Sequence, residues 1–132
     1  MFFLEPETAR ALALISAEPH VLLSALAKLE TLSQIHARVA GGMLSPARAR
    51  RLRERIDVVL KLAPYDQVAC PADIIDIAQS QIDATVRSGY CRTRDRLHLA
   101  TMQALGVHRL LTNDDTQAAA ARSLGLDVVL PR

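Results

Sequence analysis

The last forty or so residues alternate in a way that leaves few folds open. Arg94–Leu105 has helical character and stops at Gly106; Val107–Thr112 is a short apolar run suited to a strand. Thr116–Leu124 is helical again and stops at Gly125; Leu126–Leu130 is a second strand-like run ended by Pro131. Helix, glycine, strand, repeated with short joints, predicts a parallel sheet with helices on its faces, because parallel neighbours need a crossover and a helix is the usual one.

The front of the chain extends the same alternation. Pro6 is placed to open a helix through Glu7–Ala17, and Pro19 follows it. His20–Ser24 is a buried-strand candidate. From Ala25 to Ala40 the residues Leu26, Leu29, Leu32, Ile35 and Val39 recur at threes and fours, which predicts one apolar helical stripe, stopped by Gly41-Gly42. Ser45-Pro46 is an N-cap followed by proline at the first helical position, opening a third helix to about Leu60. Leu62–Asp66 is a connector with strand character. Pro71 opens a fourth helix running to about Arg87, with Ile74, Ile77, Ala78 and Ile82 as its buried side and Asp73, Asp76 and Asp83 as its wet side.

At 132 residues, half of them apolar, the chain is expected to be one domain, 1–132, with a core of Leu, Ile, Val and Ala, since Trp is absent. Sixteen basic against 14 acidic residues is too even to mark a nucleic-acid binder by charge alone. The basic residues are nearly all arginine, the side chain suited to planar anions such as phosphate; Arg48, Arg50, Arg51, Arg53 and Arg55 crowd the third helix. Cys70 and Cys91 match neither a disulfide scaffold nor a zinc pattern, which favours a reduced, cytoplasmic setting. No run reaches the roughly 18 apolar residues of a membrane span, and Met1–Leu4 lacks the basic flank of a signal peptide.

The acidic residues carry the chemistry. In open α/β sheets sites lie beyond the carboxyl ends of strands, where Asp114 and Asp115 follow Val107–Thr112. Asp114 also suits the N-cap of the next helix, and Asp115 its first turn. Asp95 lies at the start of the fifth helix among Arg92, Arg94 and Arg96, which suit phosphate or a solvated loop. Glu30 stands at the margin of the second helix's apolar stripe, where a carboxylate needs a neutralising partner or exposure. His98, inside an apolar helix, has no partner at ligand spacing. Carboxylates without histidine or cysteine suit a hard cation such as Mg²⁺ or Mn²⁺.

Arg94-Asp95-Arg96-Leu97-His98-Leu99-Ala100-Thr101 and Leu110-Leu111-Thr112-Asn113-Asp114 resemble two motifs of the PIN-domain family, in particular its VapC-type toxin ribonucleases of bacteria. The first is aspartate, two residues, then histidine, leucine, alanine; the second is a strand ending in threonine, any residue, aspartate. Ala118–Leu126 is similar to the family's closing helix and turn, and Leu22–Ile35 to the segment that carries a helix glutamate, matched by Glu30. The resemblance implies a helix-rich PIN-like α/β fold and a Mg²⁺- or Mn²⁺-dependent endoribonuclease. Glu30, Asp95 and Asp114 would form the acidic cluster, with Thr112 supporting and Asp115 accessory. It implies RNA as substrate and an antitoxin as partner, while an incomplete sheet argues for a homo-oligomer. The family's opening strand and its aspartate have no counterpart in Phe2-Phe3-Leu4-Glu5-Pro6-Glu7, which resembles the end of the first helix. The expected sheet therefore lacks its first central strand, to be repaired by a strand of another chain, a swapped segment or Phe2–Leu4. A catalytically incomplete module that binds RNA or an antitoxin-like protein without cleaving is the alternative the resemblance leaves open.

Overall fold

The computed structural model of the protein describes residues 6–132. Phe2–Leu4, expected as one way of completing a sheet, lies outside them. The chain forms two compact units, Met1–Ala17 with Pro71–Arg132, and Glu18–Cys70.

The Glu18–Cys70 unit holds β1 (Val21–Ser24), α2 (Ala25–Ala40), α3 (Pro46–Val59) and β2 (Tyr65–Val68), following α1 (Pro6–Ser16) of the other unit. β1 and β2 are parallel neighbours in the register Val21 to Tyr65 and Ser24 to Val68, and α2 with α3 makes the crossover. The helix starts follow from the sequence. Ser24 Oγ accepts the Ala27 amide at 3.0 Å, and Ser45 Oγ accepts the Arg48 amide at 3.2 Å, each satisfying a donor the first turn leaves unpaired. Lys28 and Asp57 tie α2 to α3 at 2.8 Å. Ile35 is buried as the stripe predicts, but Leu29 is 60% exposed. That end of the stripe borders an open hollow of ≈ 320 Å³ instead of packed side chains. The five arginines of α3 all face solvent, leaving Ala49 as its buried residue.

The other unit carries α4 (Ile74–Ser80), α5 (Ile82–Thr85), a 3₁₀ turn at Val86–Ser88, α6 (Thr93–Leu105), β3 (Arg109–Leu111), α7 (Asp115–Ser123) and β4 (Asp127–Val129). β3 and β4 are parallel, Arg109 beside Asp127 and Leu111 beside Val129, with α7 between them in sequence. The bonds from Asp127 N to His108 O (2.8 Å) and from Thr112 N to Val129 O (3.2 Å) extend the ladder beyond the short strands. Gly106, at φ +65°, ends α6 in the left-handed conformation, and the Val107 amide returns to the Met102 carbonyl at 3.0 Å. This cap withholds Val107 from the predicted strand.

The parallel α/β character holds, as two two-stranded sheets among the described residues. The predicted fourth helix does not hold as one piece. It breaks at Gln81, whose Nε2 reaches the Gln103 Oε1 at 2.7 Å and the Leu99 carbonyl at 3.4 Å. Thr85 Oγ1 then bonds the Gln81 carbonyl at 2.9 Å, competing for a helical acceptor. The buried positions after the break are Gln81 and Thr85, while the expected core residue Ile82 is 49% exposed. Asp73, Asp76 and Asp83 are exposed, as their wet-side placement predicts.

The core of this unit gathers Leu99, Cys91, Ala120 and Ala121, flanked by Met102, Leu110, Leu124, Leu126 and Val128. Alanine on α7 removes side-chain bulk from the α6–α7 contact, so a single leucine fills much of the space. That leucine stands one turn after Asp95, on the same face of α6.

Candidate metal centre

Asp95 lies in the first turn of α6 and is almost entirely buried, its side chain 8% exposed. A carboxylate so placed is costly without a counter-charge. Arg92, at the N-cap position of the same helix, provides it: Nε donates to Asp95 Oδ2 at 2.8 Å. The same guanidinium turns its Nη2 to Asp114 Oδ2, also at 2.8 Å. One planar cation therefore holds together two carboxylates from different elements, a task suited to the fixed fork of arginine.

Asp114 is oriented from its other side. It is the N-cap of α7, and Oδ1 accepts the amides of Thr116 at 2.8 Å and Gln117 at 3.0 Å. Its own amide donates to Thr112 Oγ1 at 3.1 Å, and that hydroxyl donates to Gln117 Oε1 at 2.8 Å. Thr112 thus fixes the backbone that carries the acid. The Gln117 amide above all, then that of Thr116 and the Arg92 guanidinium, hold the Asp114 carboxyl below the usual carboxylate range, against the opposing effect of burial. The bonds and charge of Asp95, and then those of Asp114, raise Arg92 above the ordinary guanidinium value.

The depressed carboxyl makes a prediction for acid stability. Folded Asp114 binds its proton more weakly than an unfolded aspartate, whose value is about 3.9, so the unfolded state takes up protons first. The stability it contributes is complete above that pH and is lost as pH falls through the lower folded value. Asp114→Asn keeps a capping oxygen but no charge. Urea unfolding followed by circular dichroism is expected to show the wild type more stable at pH 7, with the difference shrinking steadily below about pH 4.

Asp115 is largely exposed, at 76%, and pairs with Arg132 Nη1 at 2.9 Å. His98 is half-buried on α6, and Arg94 is exposed. Arg96 Nη1 donates to Thr85 Oγ1 at 2.6 Å, so it is engaged within the fold. Burial pushes the Cys91 thiol up, which keeps this core cysteine in its unreactive form. Glu30 is half-buried on α2, in the other unit.

Two readings of the site residues change. Arg92 binds carboxylates here, where the sequence suggested phosphate or solvent; its spacing of three from Asp95 at a helix start was the available signal. Gln117 was not singled out, although Asp114-Asp115-Thr116-Gln117 has the spacing of a capping box.

Among the described residues of this unit no third His, Cys, Asp or Glu joins Asp95 and Asp114 in a metal-holding group. The pair nevertheless fits a hard divalent ion: two oxygen donors already share one cation, and such ions retain several waters to complete their shell.

The two acids are carried by a parallel βαβ unit with Asp114 just beyond its first strand and by a neighbouring helix that Asp95 opens. The chain belongs to the PIN-domain family, VapC-type: the family model "PIN domain" matches residues 1–123. Among curated proteins it is 32% identical over 103 residues to Ribonuclease VapC46 of Mycobacterium tuberculosis, covering 73% of this chain and 75% of that protein. No solved structure matches it. No helix among the described residues is long and apolar enough to cross a membrane.

Proposed function

We propose that this protein is a divalent-metal-dependent endoribonuclease of the VapC toxin type, hydrolysing phosphodiesters of RNA. The observation that supports it best is the convergence of Asp95 and Asp114 on a single guanidinium. Two carboxylates brought to one cation, one of them buried, form a place where positive charge is required. Asp95 and Asp114, with Asp115 as an accessory acid, would hold Mg²⁺ or Mn²⁺. When bound, the ion supplies Lewis-acid chemistry, easing deprotonation of a water and offsetting charge on the phosphate. Thr112 keeps Asp114 aimed through its amide. With the carboxylates committed to an ion, Arg92 would be available to a non-bridging phosphate oxygen, a partner its planar fork suits equally well. An antitoxin-like protein is the proposed partner, in a cytoplasmic homo-oligomer.

Calorimetric titration with Mn²⁺ tests the assignment. Wild type is expected to bind the ion, Asp114→Asn to lose that binding, and Arg92→Gln to bind about tenfold more tightly, because a competing positive charge has been removed. Absence of Mn²⁺ heat from both the wild type and Arg92→Gln would refute it. That result would favour the second reading, a non-cleaving module that binds RNA or an antitoxin-like protein. The observation behind this reading is that Arg92 already neutralises the pair from within.

A further inference from the structure

The sequence has two tyrosines and no tryptophan, and the fold places one of the tyrosines where the core makes no use of it. Gly89, at φ +89° and ψ −164°, adopts a backbone conformation essentially restricted to glycine. Two residues later, Cys91 is drawn into the core beside Leu99, only 4% exposed. Tyr90, between them, is turned outward and is 78% exposed. It stands on the rim of an open depression of ≈ 720 Å³ whose lining also includes Arg92, Asp114, Asp115, Thr116 and Ala119. An amphipathic ring, an arginine and one acid of the pair thus border one hollow, large enough for a nucleotide.

We propose that Tyr90 is a stacking platform for one base of single-stranded RNA, next to the phosphate that Arg92 receives. The inference rests on the nuclease reading of Asp95 and Asp114 and adds to it a residue that would hold one base of an unpaired strand. Carboxylates at the site repel a phosphate that lacks a cation, so affinity must come in part from the uncharged face of the nucleotide. An aromatic ring offers that face a stacking contact that depends little on base identity. Bases in a duplex are already stacked and do not present it.

The absence of tryptophan allows a direct test. In an Asp95→Asn background, where RNA remains intact, Tyr90→Trp introduces the sole tryptophan. Its emission is expected to be quenched on titration with a single-stranded RNA about ten nucleotides long, a length within the usual site sizes, and to be unchanged by the same sequence as a duplex. In the same background, Tyr90→Ala is expected to weaken single-strand binding roughly 10- to 100-fold by fluorescence anisotropy of labelled RNA, whereas Tyr90→Phe retains it. Mn²⁺ affinity, measured with Asp95 intact, separates this idea from the one beneath it. Normal Mn²⁺ binding with wild-type RNA affinity in Tyr90→Ala overturns the stacking role alone. Loss of Mn²⁺ binding from wild type overturns the site itself. RNA that does not bind, or an unquenched tryptophan, also overturns the proposal.

Discussion

Asp95→Asn is expected to reduce Mn²⁺-dependent cleavage of single-stranded RNA by on the order of 100-fold or more, the usual scale for removing one electrostatic element from a reacting centre. The change is nearly isosteric. The new amide would keep an acceptor for Arg92 Nε but lose the charge that makes the site attractive to a divalent ion. The buried setting makes the effect large, because a carboxylate 8% exposed interacts with a cation through little water. Cleavage assays with and without EDTA, with circular dichroism as a control for folding, measure it. Cleavage by Asp95→Asn at the wild-type rate would remove this residue from the mechanism. Asp114→Asn is expected to fall in the same direction while retaining its helix cap, since asparagine is an equally good N-cap.

Leu99→Ala is expected to destabilise the protein by about 3–5 kcal/mol, the upper part of the range for buried leucine truncations. Leu99 is fully buried and, among the described residues, is the largest apolar side chain so enclosed. Its neighbours Ala120 and Ala121 are too short to close the cavity. A loss of that size is a large fraction of the roughly 5–15 kcal/mol typical of a domain, and urea denaturation measures it directly. Function follows stability here: Leu99 anchors α6 one turn from Asp95, so loosened packing there also frees the acid from its place beside Arg92. A loss below about 1 kcal/mol would show that the α6–α7 contact is not the core of this unit.

Much of the fold was legible in local chemistry alone. Ser45 and Gly106 marked helix boundaries, and the structure uses both of them as such. The break at Gln81 was not legible, because its cause is a contact with Leu99 and Gln103, far along the chain. The exposure of Leu29 was hidden for the same reason: periodicity identifies an apolar face but not what lies opposite it. At the site, Asp114 had two readings, cap and ligand. The structure makes it a cap through Oδ1 and leaves Oδ2 to a cation, so the two roles occupy different oxygens of one carboxylate.

The amino-acid sequence by itself determined the order of helices and strands, their parallel character and the acids that carry the family's motifs, because these depend on spacing, capping and residue type within a few turns of chain. Only tertiary structure decided that Asp95 and Asp114, distant in sequence, share Arg92, and that Tyr90 stays outside while Cys91 goes in. Those outcomes depend on how α6 and α7 pack around Leu99, where burial makes an unpaired charge costly and selects a side chain able to reach both carboxylates.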